Sequence, residues 1–394
     1  RLGTIFLIVF MDLLGLGLFL PLLPYYAEKF GADPTVVGFL LAVYPAMQIL
    51  GAPILGRLSD RFGRRPILIL SILGSMIGYL IMGYAGALWM LFLSRFLDGL
   101  TGGNISVAQA YITDVTDEKD RARGLGLIGA AFGLGFVVGP ALGGFLVRWG
   151  FTLPALVAAG LCLVNALAAY LFLPESLTTE QKLLGREKRS WFSVISLEEA
   201  LGRPRVGLLL TIRFFYSMAF STFESMFILH GKQRLALSEQ GASYTLAYVG
   251  ILVVLVQGLF IRRLSQKWDE GRLLLMGNAL LALSLVAWAL SPSVSFLLVI
   301  LIPVALGAGV ANTYLRSLLS KAVAREEEGG TMGLSVSIES LTRALAPALG
   351  GYLIGHVSTA APGIFAGVIC LALIPVMWVK DLAGTSGVDR SESD

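Results

Sequence analysis

Long apolar runs recur along this chain, separated mostly by loops of a few residues. A helix needs about 20 mostly apolar residues to cross the hydrocarbon core of a bilayer. In that medium the backbone must satisfy its own hydrogen bonds, which makes helices the natural form for such runs. Runs of this kind lie at 3–27, 36–58, 66–86, 88–112, 122–147 and 151–173, and again at 206–229, 243–262, 273–290, 294–320, 330–355 and 361–379. They predict an all-α membrane protein with twelve transmembrane helices, spans one to twelve in chain order. The composition agrees: 14% of residues are charged and the mean hydropathy is +0.78, whereas a soluble domain carries about 25% charged residues.

The net charge of +4 could point to nucleic acid. The basic residues instead crowd short loops between apolar runs, which is how membrane orientation is encoded. With both termini cytoplasmic, the inner loops hold most of them, among them Arg57, Arg61, Arg64, Arg65, Lys119, Arg121, Arg123 and Lys321. The outer loops then hold Lys29, Arg148, Lys232 and Arg234. No nucleic-acid partner is expected. Cys162 and Cys370 lie inside apolar runs, which argues against a disulfide framework, and His230 and His356 are far apart, so no metal cluster is expected. A Gly-x-x-x-x-Gly-Lys-Ser/Thr phosphate loop is missing, so ATP is not expected to supply energy, and no nucleophile–base set suggests an enzyme.

The stretch 174–205 is polar and contains Arg186-Glu-Lys-Arg189. It reads as a cytoplasmic linker between bundles at 1–173 and 206–379, with Trp191–Leu201 lying on the membrane surface and 380–394 a cytoplasmic tail. The halves look like copies. Gly139-Pro-Ala-Leu-Gly-Gly-Phe-Leu146 returns as Ala346-Pro-Ala-Leu-Gly-Gly-Tyr-Leu353, and Arg57-Leu-Ser-Asp-Arg-Phe62 returns as Arg263-Leu-Ser-Gln-Lys-Trp268. Two matches in nearly the same register predict two pseudo-symmetric six-helix bundles with a pathway between them.

Four motifs carry a family resemblance. Gly56-Arg-Leu-Ser-Asp-Arg-Phe-Gly-Arg-Arg65 is similar to the loop between helices two and three of the major facilitator superfamily. Leu93-Ser-Arg-Phe-Leu-Asp-Gly99 resembles its helix-four motif, and Gly135-Phe-Val-Val-Gly-Pro-Ala-Leu-Gly-Gly144 the helix-five motif of its proton-driven exporters. Asp12-Leu-Leu-Gly-Leu-Gly-Leu-Phe-Leu-Pro21 is similar to the first helix of twelve-helix drug–proton antiporters, and the whole pattern resembles the tetracycline–proton antiporters. The resemblance implies a monomer in the bacterial inner (plasma) membrane, working by alternating access. It further implies a proton gradient as energy source, no cofactor, and a small amphipathic substrate. A carrier of lipids, sugars or other metabolites, possibly an importer, and a non-transporting sensor with the same fold stay open.

Ionisable groups inside a span are costly and mark function or pairing. Asp12, at mid-depth in span one, is a candidate for loading and releasing protons. Arg95 and Asp98, spaced i, i+3, share a face of span four and could neutralise each other, or Arg95 could act on Asp12. Glu224 sits among aromatics and methionines suited to an amphipathic or cationic molecule, with Arg213 on a similar face. Glu339 and Arg343, at i, i+4 in span eleven, could pair, and Arg316 could reach the interface by snorkelling. Gln48 and Gln257 are neutral candidates for the cavity wall.

The loop of Gly56, Asp60, Arg61, Gly63, Arg64 and Arg65 is a candidate cytoplasmic gate, Asp60 meeting Arg121, Arg123 or the positive N-terminus of span eleven near Gly329–Gly330, and Arg64 reaching Asp114. In span five, Gly135, Gly139, Gly143 and Gly144 with Pro140 form a small-residue face, a candidate hinge or seal between the halves.

Overall fold

The computed structural model describes residues 2–178, 199–264, 268–324 and 327–379. These are helical throughout, with no strand among the described residues, and ten helices are long and apolar enough to cross a membrane. The expected surface helix at Trp191–Leu201 falls almost wholly outside the described residues, as do Ser265–Lys267 of the second-half loop and the tail 380–394.

The first run forms α1 (Leu2–Phe19), a 3-10 turn (Leu20–Leu22) and α2 (Leu23–Lys29). Pro21 and Pro24 each start a segment, since a residue without an N–H breaks the ladder and tightens the turn. Next comes α3 (Pro34–Phe62), capped by Asp33, whose carboxylate accepts from the Val36 N–H at 2.9 Å, with Pro34 at its first position. It is followed by α4 (Arg64–Gly83).

Between α3 and α4 the chain turns on Gly63 alone, at φ 114° and ψ 151°. That conformation is nearly closed to residues with a Cβ. The tight loop seen in the sequence is therefore one glycine joining two helices.

Span four departs from the expected single helix. It is broken into α5 (Leu88–Thr101) and α6 (Asn104–Val115) by Gly102-Gly103. Neither glycine carries the side chain that would offset the backbone entropy of a helical turn. Span eleven is intact, as described below, but Glu339, Arg343 and its serines and threonines make it more polar than its neighbours.

The remaining helices are α7 (Glu118–Leu146), α8 (Thr152–Phe172), α9 (Pro204–Leu235) and α10 (Glu239–Leu255), the last running through a π turn (Val256–Phe260) into α11 (Ile261–Leu264). After them come α12 (Glu270–Ala289), α13 (Val294–Lys321), α14 (Glu328–His356) and α15 (Ala361–Val379).

The chain divides into two compact units. The first comprises Arg1–Phe192, Ser225–Ile251 and Arg343–Val357, so it takes in the ends of spans seven, eight and eleven that the charge pattern puts outside. Within it α1 packs on α7 and α8, and α4 on α5 and α8. The α1–α7 contact explains the small-residue stripe. A Cβ at Gly135 would come 2.8 Å from the Leu13 side chain, and one at Gly139 would come 2.9 Å from the Gly17 backbone.

Gly143 lies against Leu18, and Gly144 alone of these turns to Ser243 of α10. The stripe was expected to seal one half against the other. Most of it instead holds span five against the span that carries Asp12. Gly38 and Gly351 also meet inside this unit, where a Cβ on either would lie 2.8 Å from the other's Cα.

The second unit comprises Ser193–Glu224, Leu252–Thr342 and Ser358–Asp394. Here α12 packs on both α13 and α15, and the Asn278 side chain donates to the Cys370 carbonyl at 2.7 Å. Trp288, fully buried, meets Phe223 edge-on at 4.9 Å.

Replacing Gly63 with alanine forces a Cβ into a glycine-only conformation, at a cost of about 1–3 kcal/mol. Gly63→Ala is expected to lower the thermal unfolding temperature of the detergent-purified protein. An unchanged temperature would show that the turn relaxes freely.

Candidate functional site

The break in span four gathers a polar cluster inside the first unit. Its open carbonyl at Gly102 accepts from Gln48 Nε2 at 2.8 Å, and the Thr101 carbonyl accepts from the Ser71 hydroxyl. Gln48 Nε2 also lies 3.3 Å from the Tyr44 hydroxyl. Gln48, expected as a cavity donor, thus closes a backbone position that hydrocarbon could not satisfy.

The same break sets Asn104 at the start of α6, where its amide faces the Asp12 carboxylate. Asp12 is half-buried and lines a narrow cleft with Ile8, Val9, Leu68, Asn104 and Ile105. A helix N-terminus beside it favours the charged form of a carboxylate.

One turn before the break, Arg95 Nη1 lies 3.2 Å from Asp98 Oδ2, both side chains about 5% exposed or less. The guanidinium rests over the Tyr79 ring at 5.5 Å, and the Ser75 hydroxyl faces Asp98. Gly78 lets span three come this close, its position 3.3 Å from the Asp98 Cβ for an added Cβ. Arg95 Nε and Asp98 Oδ2 make no hydrogen bond among the described residues. A buried pair left short of partners is a place where charge can be rearranged. Asp12 and Asp98 are near enough to repel, so a second carboxylate stands beside the buried Arg95–Asp98 pair, and Tyr44 lies within reach of these charges and of Arg343.

The second unit holds a different cluster. Arg213, 1% exposed, donates from Nη1 to Asn312 Oδ1 at 2.6 Å and from Nη2 to Glu339. Arg316 Nη2 reaches the same Glu339 oxygen at 3.0 Å. Glu339 thus binds the buried guanidinium of span seven, whose unpaired burial would cost several kcal/mol, and also reaches Arg316, whose side chain is half-exposed. Glu224 is half-buried and makes no hydrogen bond or ion pair among the described residues, while Gln257 is exposed in the π turn.

At the cytoplasmic loop, Arg64 sits between two acids, 2.5 Å from Asp60 and 3.0 Å from Asp114, and donates to the Ser59 hydroxyl at 2.7 Å. The contact of Arg64 with Asp114 matches the sequence expectation. Asp60 pairs with Arg64 one turn on rather than with Arg123, which is exposed; the Arg121 side chain lies outside the described residues. Glu175, unforeseen, accepts from the Arg64 backbone N–H at 2.9 Å and so caps α4. Arg65 binds the Tyr170 carbonyl, Arg61 lies over Phe62 at 5.2 Å, and Ser59 donates to the Gly56 carbonyl at 2.6 Å. At the opposite end of the unit, Glu28 binds Lys232, which also sits 4.5 Å over the Tyr25 ring.

The Major Facilitator Superfamily model matches residues 5–341 and 252–394. The chain belongs to the Major Facilitator Superfamily. Two members are curated as the class C and class B tetracycline resistance proteins of Escherichia coli. They are 35% and 32% identical to this chain over 86% and 89% of it, and over 86% and 87% of their own lengths. Multidrug resistance protein 2 of Bacillus subtilis is 28% identical over 93% of both chains. The crystal structure of the human organic anion transporter MFSD10 (TETRAN) superposes with TM-score 0.70, at 23% identity and 95% and 98% coverage. A peptide-bound POT family transporter gives 0.76 at 17% identity, with 96% and 94% coverage. The chain is thus an integral membrane protein of a transporter superfamily.

Within this superfamily chain, sequence reading singled out Asp12, Arg95, Asp98 and Gln48, and the fold brings them around one break. It missed Asn104, Asn312 and Glu175, and set Arg316 aside. A glycine pair in mid-span followed by an asparagine was the available signal for the first.

Removing Arg95 alone strands Asp98 in a buried site, at a cost of about 3–5 kcal/mol. Arg95→Met is expected to lower the unfolding temperature sharply, and Arg95→Met with Asp98→Leu to recover most of the loss. A double variant no more stable than the single one would mean the two charges are not paired energetically.

Proposed function

We propose that this chain is a proton-coupled antiporter that exports amphipathic, drug-like molecules by alternating access. The observation that supports it most is the Asp12–Asn104–Arg95–Asp98 cluster at the break in span four. Idle charges at that depth are expensive, and a second carboxylate beside a buried ion pair is suited to taking a proton up and giving it back. Relatives named for tetracycline and multidrug resistance support the drug-like substrate class.

In this reading the two six-helix halves, 1–173 and 206–379, alternate about the 174–205 linker, with both termini in the cytoplasm and the chain a monomer in the plasma membrane. A proton from outside loads the cluster on Asp12, leaving Arg95 to Asp98, and its release inside resets the cycle. The Asp60–Arg64–Asp114 contacts hold the cytoplasmic loop in one of its two arrangements. Glu28–Lys232 does the same outside.

Reconstituted into liposomes, the protein should move substrate in proportion to an imposed pH gradient. Asp12→Asn is expected to abolish the gradient-driven component while downhill exchange persists. Flux that ignores the gradient, or an Asp12→Asn variant that still concentrates substrate, would refute the coupling. Asp60→Asn is expected to slow turnover several-fold with substrate affinity nearly unchanged. Equal turnover would reduce the loop to an orientation signal.

A further inference from the structure

The Arg213–Glu339–Arg316 cluster has the opposite imbalance from the span-four site. Two guanidiniums share one carboxylate oxygen, leaving one positive charge in excess. Arg213 is sealed in, its Nε without a hydrogen-bond partner among the described residues. Arg316 differs: its side chain is 46% exposed, and Glu339 is 21% exposed.

Three physical points narrow what this arrangement can do. A guanidinium has five N–H donors in a planar fork suited to carboxylates, and Arg316 gives one nitrogen to Glu339. An exposed charge on a span would be costly against lipid, so Arg316 must reach water, at the interface or along a water-filled path. Asn312 and Glu339 already neutralise and hold Arg213 from its two terminal nitrogens, so that role does not need Arg316.

Aromatic side chains continue from Arg213 along its helix, where Tyr216 is buried and donates to the Ala308 carbonyl at 2.8 Å and Phe220 is half-buried. Arg213, Tyr216 and Phe220 follow one another at helical spacing on α9, and the Tyr216 and Phe220 rings stack 6.3 Å apart. What the cluster offers a ligand is therefore charge: a half-exposed guanidinium with donors to spare fits an anionic group.

We propose that Arg316, backed by Arg213 and Glu339, binds the anionic group of the transported molecule, a carboxylate or similar organic anion. The anion takes Arg316 from Glu339, while Arg213 keeps that carboxylate and stays neutralised. Arg316 is thereby a specificity-determining residue that selects for negative charge. This rests on the exporter reading above for the claim that the bound molecule is cargo, but the binding itself does not need a gradient.

The test is equilibrium binding to the full-length protein in detergent, without any pH gradient, read by energy transfer from tryptophan to pyrene. The probes are 1-pyrenebutyrate and 1-pyrenebutylammonium, alike in body and opposite in charge, with protein-free micelles as background. Wild type is expected to prefer the butyrate. Arg316→Gln should weaken butyrate binding about tenfold, the scale of a lost charge-assisted hydrogen bond, and leave the ammonium probe unchanged. Arg316→Lys should keep most of the preference. Equal loss for both probes in Arg316→Gln with Arg316→Lys intact, no loss for either, or a wild-type preference for the ammonium would overturn the proposal. Gradient-independent flux with the charge preference present would refute proton coupling and leave this site standing.

Discussion

A backbone carbonyl left open inside the membrane is the point on which the first unit depends. Gly102-Gly103 stops α5, and hydrocarbon has nothing to offer the freed groups. Gln48 from α3 fills one position at 2.8 Å and Ser71 from α4 another, so three spans are tied at one depth. The restart of the helix at Asn104 then fixes where an amide and a helix N-terminus meet Asp12. A continuous span four would carry Arg95 and Asp98 equally well but would not put a helix N-terminus at mid-membrane.

The glycine stripe of span five serves the same end from the other side. Gly135, Gly139 and Gly143 bring α7 into contact with α1 along Leu13, Gly17 and Leu18. Side chains of any size there would push α1 off, and Asp12 with it. Close approach between membrane helices gains packing contacts where no hydrophobic driving force exists. The stripe and the broken span therefore solve one problem: holding a polar residue at a set position in a medium that opposes it.

How much of this can be read from the sequence follows from the range of each interaction. Span positions, the charged loop and the Arg95–Asp98 pair rest on spacing within one helix, and periodicity carries them. The contact of Arg64 with Asp114 joins the start of α4 to the last turn of α6, at ends that the orientation of the charges already puts on one face. Partner choice between spans is another matter. Glu339 has Arg343 at i, i+4, a favourable spacing worth a few tenths of a kcal/mol, yet it faces Arg213 across from α9, because a guanidinium 1% exposed cannot stay unpaired. Nothing along α14 records the depth of a residue on another helix. Asn104 escaped for a similar reason: as a neutral residue it gives no cost signal until the break beside it is seen.

The two units differ in the sign they leave unbalanced. The first sets Asp12 and Asp98 against Arg95, the second Arg213 and Arg316 against Glu339. A surplus carboxylate invites a cation as small as a proton, which needs almost no space, and the cleft at Asp12 is correspondingly narrow. A surplus guanidinium invites an anion, and Arg316, 46% exposed, is the one of the two that such an anion could reach. Duplicated halves begin with the same helices and loops. What differs between the two units is the sign of the charge each holds without a full complement of partners.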